Sequence, residues 1–122
     1  MRWVAIVAIV VSLWLSGPAG AEDPVYFVDS NLKAVVEDAL WISDPTPTDM
    51  LGLTSLNAAS KRIAHLEGLE YADNLESLDL SRNEISDVSA LSGLSKLQRL
   101  VIDNCFVADL SPLSTLYSLT DL

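Results

Sequence analysis

Apolar residues recur along this chain at a fixed interval of 22. Leu75, Leu97 and Leu119 stand one interval apart, and writing the chain in rows of 22 aligns seven apolar columns. The columns are Leu53/Leu75/Leu97/Leu119, Leu56/Leu78/Leu100/Leu122, Ala58/Leu80/Ile102, Ile63/Ile85/Val107, Leu66/Val88/Leu110, Leu69/Leu91/Leu113 and Ala72/Leu94/Leu116. All 23 positions are apolar in a chain that is 50% apolar. Independent draws would do this with odds on the order of 10⁻⁷, so the period is a design feature. A repeat of this length is one supersecondary unit per row, unable to bury its apolar face except against its neighbours.

Two shorter periods lie inside each row. Leu78 and Leu80 alternate with Ser77, Asp79 and Ser81, the period of two that marks a half-buried strand. After Asn83 the interval becomes three, at Ile85, Val88, Leu91 and Leu94, which suits 3₁₀ turns or a short helix. Each row therefore predicts one short strand, paired in parallel with the next at about 4.8 Å. A 22-residue row is short for this class of repeat, which favours 3₁₀-like or extended returns over full helices.

Ahead of the rows the period breaks. Leu32, Val35, Val36, Ala39 and Leu40 form one stripe of an amphipathic helix, with Asp29 placed as its N-cap. Ser43-Asp44-Pro45 should end it, because Pro45 lacks an N–H and restricts the residue before it. A second, shorter helix is expected from Thr46, with Pro47 at its first position and Asp49 in its first turn. It should deliver Met50 and Leu51 toward the first row. A solenoid needs such a differently built end piece to cover its first coil. Residues 22–52 are read as lead-in and helical cap, and 53–122 as three rows plus the start of a fourth. The last segment, Leu119-Thr120-Asp121-Leu122, has no polar closing element after it, which predicts a fragment of a longer repeat protein.

The segment Leu75-Glu76-Ser77-Leu78-Asp79-Leu80-Ser81-Arg82-Asn83 has the pattern L-x-x-L-x-L-x-x-N. The rows resemble leucine-rich repeats of the 22-residue kind found in internalins and many exported bacterial proteins. Asn83-Glu84-Ile85-Ser86-Asp87-Val88-Ser89-Ala90-Leu91 is similar to that family's N-x-I-x-D-I-x-x-L return. Asp29-Ser30-Asn31-Leu32 followed by Leu53-Thr54-Ser55-Leu56-Asn57-Ala58 resembles its N-terminal cap. The resemblance covers about residues 26–122. It implies a right-handed α/β solenoid, a leucine-rich repeat with one parallel strand per coil and a helical N-terminal cap. It also implies an adaptable binding scaffold, and names no ligand.

The first 21 residues read differently. Met1-Arg2 is positive, Trp3 to Leu15 is almost wholly apolar, and Ser16-Gly17-Pro18 precedes the small residues Ala19-Gly20-Ala21. That is the layout of a secretory signal peptide, expected to be removed before Glu22. Thirteen residues as a helix span about 20 Å, too short for a hydrocarbon core of about 30 Å. No integral membrane span is therefore expected after cleavage, and the product should be secreted or held at the cell surface. Lys plus Arg is 7 against 17 Asp plus Glu, a formal charge of −10. Loss of residues 1–21 removes only Arg2 and leaves −11. Nucleic acid is excluded as a partner by that balance, since phosphate binding needs clustered cations.

Candidate chemistry is sparse. There is no G-x-S-x-G, Gly-rich phosphate loop, H-E-x-x-H or cysteine pair, so no enzyme, metal or cofactor is expected. Asn83 can satisfy backbone groups left free where the chain turns out of the strand. Cys105 shares its column, and since the resembled family accepts cysteine there, it is placed inside the coil as an inert residue. Lys61 holds that column in the first row. Asp87 and Asp109 each precede the apolar residue that opens a return, where a carboxylate can cap a 3₁₀ turn. His65, in the same column, has no second histidine or fixed acid beside it to make a catalytic or zinc site.

What remains is the strand face that alternates with the buried leucines. Ser55, Asn57 and Ala59 in the first row precede Ser77, Asp79 and Ser81, then Arg99, Val101 and Asp103, and finally Asp121. These form a ladder on the inner curve of the solenoid, with Ser77, Asp79, Ser81, Arg99, Val101 and Asp103 as candidate contacts. Of these only Arg99 belongs to the residue types enriched at binding hot spots. The function expected is a non-catalytic exported recognition module for a protein or a glycan. The alternative is the targeting or spacer end of a larger exported enzyme or wall-anchored protein. An intracellular regulator sharing this repeat length is a third reading, which would require residues 1–21 to be retained in the cytosol.

Overall fold

The computed structural model describes residues 22–122. The signal-peptide expectation lies outside them. Helix α1 spans Ser30–Leu40 and α2 spans Pro47–Met50. Strands β1 (Ser55–Asn57), β2 (Ser77–Asp79) and β3 (Arg99–Val101) form one parallel sheet in that order. Register is set by the 22-residue interval: Leu56 pairs with Leu78 and Leu78 with Leu100. Arg99 continues the ladder to Asp121 through a parallel bridge. Each return carries one 3₁₀ turn, at Leu69–Tyr71, Ser89–Leu91 and Ser111–Leu113.

Why these residues build coils follows from the columns. Leu53, Leu56, Ala58, Ile63, Leu66, Leu69 and Ala72 are buried in the first row, and each has a buried counterpart 22 residues later. The interior is thus one apolar column through the stack, and hydrophobic burial there holds rows together. Protection falls off in the outermost row, where Leu110 and Leu122 are exposed and Ile102, Val107 and Leu119 only half-buried.

The cap seals the other end. Leu32 and Val36 of α1 are fully buried, and Met50 of α2 joins them. Asp29 is the N-cap of α1, its Oδ1 accepting from the Asn31 N–H at 2.9 Å. Thr46 and Asp49 form a reciprocal capping box on α2, with Pro47 in the first turn. Two expectations need correction. Leu51 lies in the turn after α2 and is exposed, so Met50 alone reaches the core. Helix α1 stops at Leu40, before Ser43, because Trp41 turns left-handed at φ 59° and its N–H returns to the Glu37 carbonyl. The lead-in is anchored by Val25, whose N–H donates to the Pro45 carbonyl at 2.8 Å, and by buried Phe27. Phe27 packs where Gly68, at φ 114°, has no Cβ.

Candidate binding face

Parallel register stacks the outward residues as it stacks the leucines. Ser55, Ser77, Arg99 and Asp121 make one column, and Asn57, Asp79 and Val101 the next. Arg99 and Asp103 are exposed; Ser77, Asp79 and Val101 are half-buried. Ser81 departs from the expectation. It is buried, because past the strand end its hydroxyl turns in and donates to Asp79 Oδ1 at 2.7 Å while its N–H donates to the same oxygen at 3.0 Å. Ser81 therefore contributes no contact surface to the ladder.

Those bonds give Asp79 a task of its own. The Ser81 backbone N–H and hydroxyl, then the nearby Arg82 and Arg99, hold its carboxyl below the usual carboxylate range. Asn57 does the same work one row earlier, its Oδ1 accepting from the Ala59 N–H at 3.2 Å. Val101 offers no such acceptor in the third row. Arg99 Nε lies 3.4 Å from Asp121 Oδ2, and with both side chains more than 60% exposed this pair adds little stability.

The residues assigned structural tasks sit behind this face. Asn83 is buried, and its Oδ1 accepts from the N–H groups of Lys61 and Ile63, each at 3.0 Å. Its Nδ2 donates to the carbonyls of Ala58 and Leu80 at 2.8 Å and of Ser81 at 3.3 Å. One side chain thus ties the exit of the first row to that of the second. Cys105 is half-buried with its Sγ 3.1 Å from the Leu80 carbonyl. On the return side, Asp87 Oδ1 accepts from the Ser89 N–H and Asp109 Oδ1 from the Ser111 N–H, each at 2.9 Å. These backbone bonds, first Ser89 and first Ser111, lower both carboxyl pKa values.

Two features were not foreseen. Asp29, read as an N-cap only, also accepts through Oδ2 from the N–H groups of Ala64 at 2.7 Å and His65 at 3.3 Å. Burial pushes its carboxyl up, but the backbone donors of Ala64, Asn31 and His65 outweigh it and leave the group below its usual range. No local pattern marks a bond across 35 residues. The second feature is a cleft of about 320 Å³ at the cap end of the ladder, lined by Val35, Asp38, Ala39, Leu56, Asn57 and Lys61. Its walls come from α1 and the first row, so it depends on a packing geometry that spacing does not encode. No helix among the described residues is long and apolar enough to cross a membrane.

Comparison with known proteins agrees with this architecture. The family model described as leucine-rich repeats (two copies) matches residues 73–122. An internalin, InlF, of Listeria monocytogenes is 32% identical with a TM-score of 0.78, over 84% of this chain and 32% of that one. The structure of the CBM51-2 and INT domains of Clostridium perfringens ZmpB is 35% identical with a TM-score of 0.60, over 65% of this chain and 17% of that one. The functional domain of InlJ from Listeria monocytogenes, described as including a cysteine ladder, is 26% identical with a TM-score of 0.73. It is matched over 79% of this chain and 22% of its own. The chain thus spans about a third or less of these three structures. No curated protein matches it.

Proposed function

The chain is an internalin-like leucine-rich repeat protein, and from that premise we propose that it is an exported, non-catalytic recognition module that binds a protein partner through its concave strand face. The observation that carries this is the stacked ladder itself. A continuous interior fixes three strands in register, and the side chains between the buried leucines are left facing outward in fixed columns. Ser77, Asp79, Arg99, Val101 and Asp103 are the contacts on this reading, with Asn83, Cys105, Asp87 and Asp109 holding the coil behind them. Likeness to internalins and the apolar N-terminal segment support a secreted or surface location. A net charge of −11 without that segment favours a partner with a basic or neutral contact surface.

Arg99→Glu and Asp103→Lys test the face, because both side chains are exposed and their replacement leaves the core untouched. The secreted protein, immobilised and presented with extracellular proteins and glycans, should capture a protein ligand that either substitution releases. Glu84→Lys, on the exposed return side, should leave capture intact. Capture indifferent to both ladder substitutions would overturn the concave-face reading, as would capture of a glycan in place of a protein.

A second reading has one observation in its favour. The matched ZmpB structure contains two named domains, and this chain corresponds to 17% of it. On that reading the repeat is the targeting or spacer region of a larger exported enzyme or wall-anchored protein. A continuous reading frame carrying a catalytic signature or a wall-sorting tail would favour it.

A further inference from the structure

The ladder is short of anchors. Its outward columns contain no tryptophan or tyrosine, and Arg99 is their one residue of a type enriched at binding hot spots. The cleft at the cap end supplies the complementary shape. Leu56 at its floor is buried, Val35 is half-buried, and Ala39 is an exposed methyl on the α1 wall. Asn57 lines the cleft and also belongs to the ladder, so the two surfaces are continuous.

Polar groups around that floor stand without partners. Asp38 and Lys61 both line the cleft and are both exposed, yet they form no ion pair. The ion pairs among the described residues are Lys33–Asp44 and Arg99–Asp121. In a parallel ladder, alternate residues bond to the same neighbouring strand. The Thr54 carbonyl and Ala58 N–H are used toward the second row. The N–H and C=O of Ser55 and Asn57 therefore point off the sheet edge toward α1, where no protein group meets them among the described residues. Helix α1 packs against β1 and covers part of that edge.

We propose that this cleft is the anchor pocket of the recognition face and takes one leucine-sized apolar side chain from a protein partner. The partner segment carries a cation that meets Asp38 and an anion that meets Lys61 on either side of that residue. Its main-chain amides meet the free groups of Asn57. This rests on the protein-binding reading above and assigns it a partner chemistry. A volume near 320 Å³ is enough for one apolar side chain together with its flanking main chain. A sugar would leave the Leu56–Val35 floor against hydroxyl groups, and the cleft holds no aromatic ring to stack on one.

Isotope-labelled secreted protein titrated with acetyl-Lys-Leu-Glu-amide and followed by NMR tests the pocket. The peptide should shift the amide signals of Ala39, Asn57 and Lys61, and acetyl-Lys-Ala-Glu-amide should bind about tenfold more weakly, the loss expected for a partly buried leucine. Ala39→Phe should fill the cleft and abolish the shifts with melting unchanged, since Ala39 faces solvent. Equal affinity for the two peptides, shifts confined to other residues, or the same shifts from N-acetylglucosamine or free leucine would overturn the proposal. Glu84→Lys, exposed and away from the cleft, should leave peptide binding unchanged. Peptide binding that persists while ladder substitutions fail to release a captured partner would sink the wider face alone. The reverse pattern would sink the anchor pocket alone.

Discussion

Replacing Asn83 by alanine is the sharpest test of how the rows are tied. The side chain makes two bonds as acceptor and three as donor, all to backbone groups. Their fates on truncation differ. The Lys61 N–H lies near the surface and can take water, and the Leu80 carbonyl keeps the Cys105 thiol. The Ile63 N–H and the Ala58 carbonyl belong to buried residues and have no other partner. An orphaned buried group costs about 1–3 kcal/mol, and two with partial water entry come to about 2–4 kcal/mol. For a domain near 100 residues that lowers melting by on the order of 10–20 °C. Thermal and urea unfolding followed by circular dichroism would read it, an unchanged urea slope showing that stability and not compactness has changed. Asn83→Cys is the control. Cys105 reaches the Leu80 carbonyl across the same 25 positions that separate Asn83 from the Ala58 carbonyl it meets. Cysteine at 83 should therefore keep that donor, lose the acceptor, and cost roughly half as much. An unchanged melting curve for Asn83→Ala, or equal damage from both variants, would refute the reasoning.

The same comparison predicts that Cys105→Asn is stabilising by about 1 kcal/mol, because an amide oxygen there would accept from the N–H groups of Asn83 and Ile85 as Asn83 does from Lys61 and Ile63; a lower melting temperature would count against it. Gly68→Ala should destabilise by about 2–4 kcal/mol, since φ is 114° and a Cβ would fall 2.6 Å from Phe27 Cε1. Adding Phe27→Ala should not deepen that loss by its full separate cost, and strict additivity in calorimetry would exclude the clash. Asp29 has a folded pKa below its unfolded value, so its contribution is present above about pH 4 and lost as pH falls through the folded pKa. Urea midpoints for Asp29→Asn should lie below the parent at about pH 6 and converge with it as pH falls through the folded pKa of Asp29; a constant gap would show that the charge is irrelevant.

Much of the fold was legible because a stacked repeat converts three-dimensional register into linear distance. Leu56, Leu78 and Leu100 pair because they sit 22 apart, and the interval of three after Asn83 reappears as a 3₁₀ turn in every return. The errors fall where the chain stops repeating. Alternation placed Ser81 outward, but the strand ends at Asp79, and the pleat no longer dictates direction two residues later. Trp41 ends α1 in a left-handed turn that glycine ordinarily marks, so the sequence carries no signal for it. Leu51 continues an apolar pair with Met50, yet the short α2 turns only one of the two inward. The reach of Asp29 to Ala64 and the α1–β1 cleft are set by how the cap docks, which is tertiary information.

The site's chemistry was harder to read than its position, because the outward columns are not equally free to serve a ligand. Asn57 and Asp79 face outward, but each spends an oxygen on the N–H two residues ahead, so exchanging either alters the strand exit as well as the surface. The column Ser55, Ser77, Arg99 and Asp121 carries no comparable backbone duty; its one polar contact is the exposed Arg99–Asp121 pair. Asp103 at the rim is equally unencumbered by backbone bonds to its carboxylate. On the proposed reading, recognition is tunable in that column, at Asp103 and in the cleft without disturbing the coil. It follows that Ser77→Ala and Asp79→Ala, neighbours on one strand, should separate. The first should change binding with stability intact, and the second should change both, since only Asp79 holds the Ser81 N–H and hydroxyl.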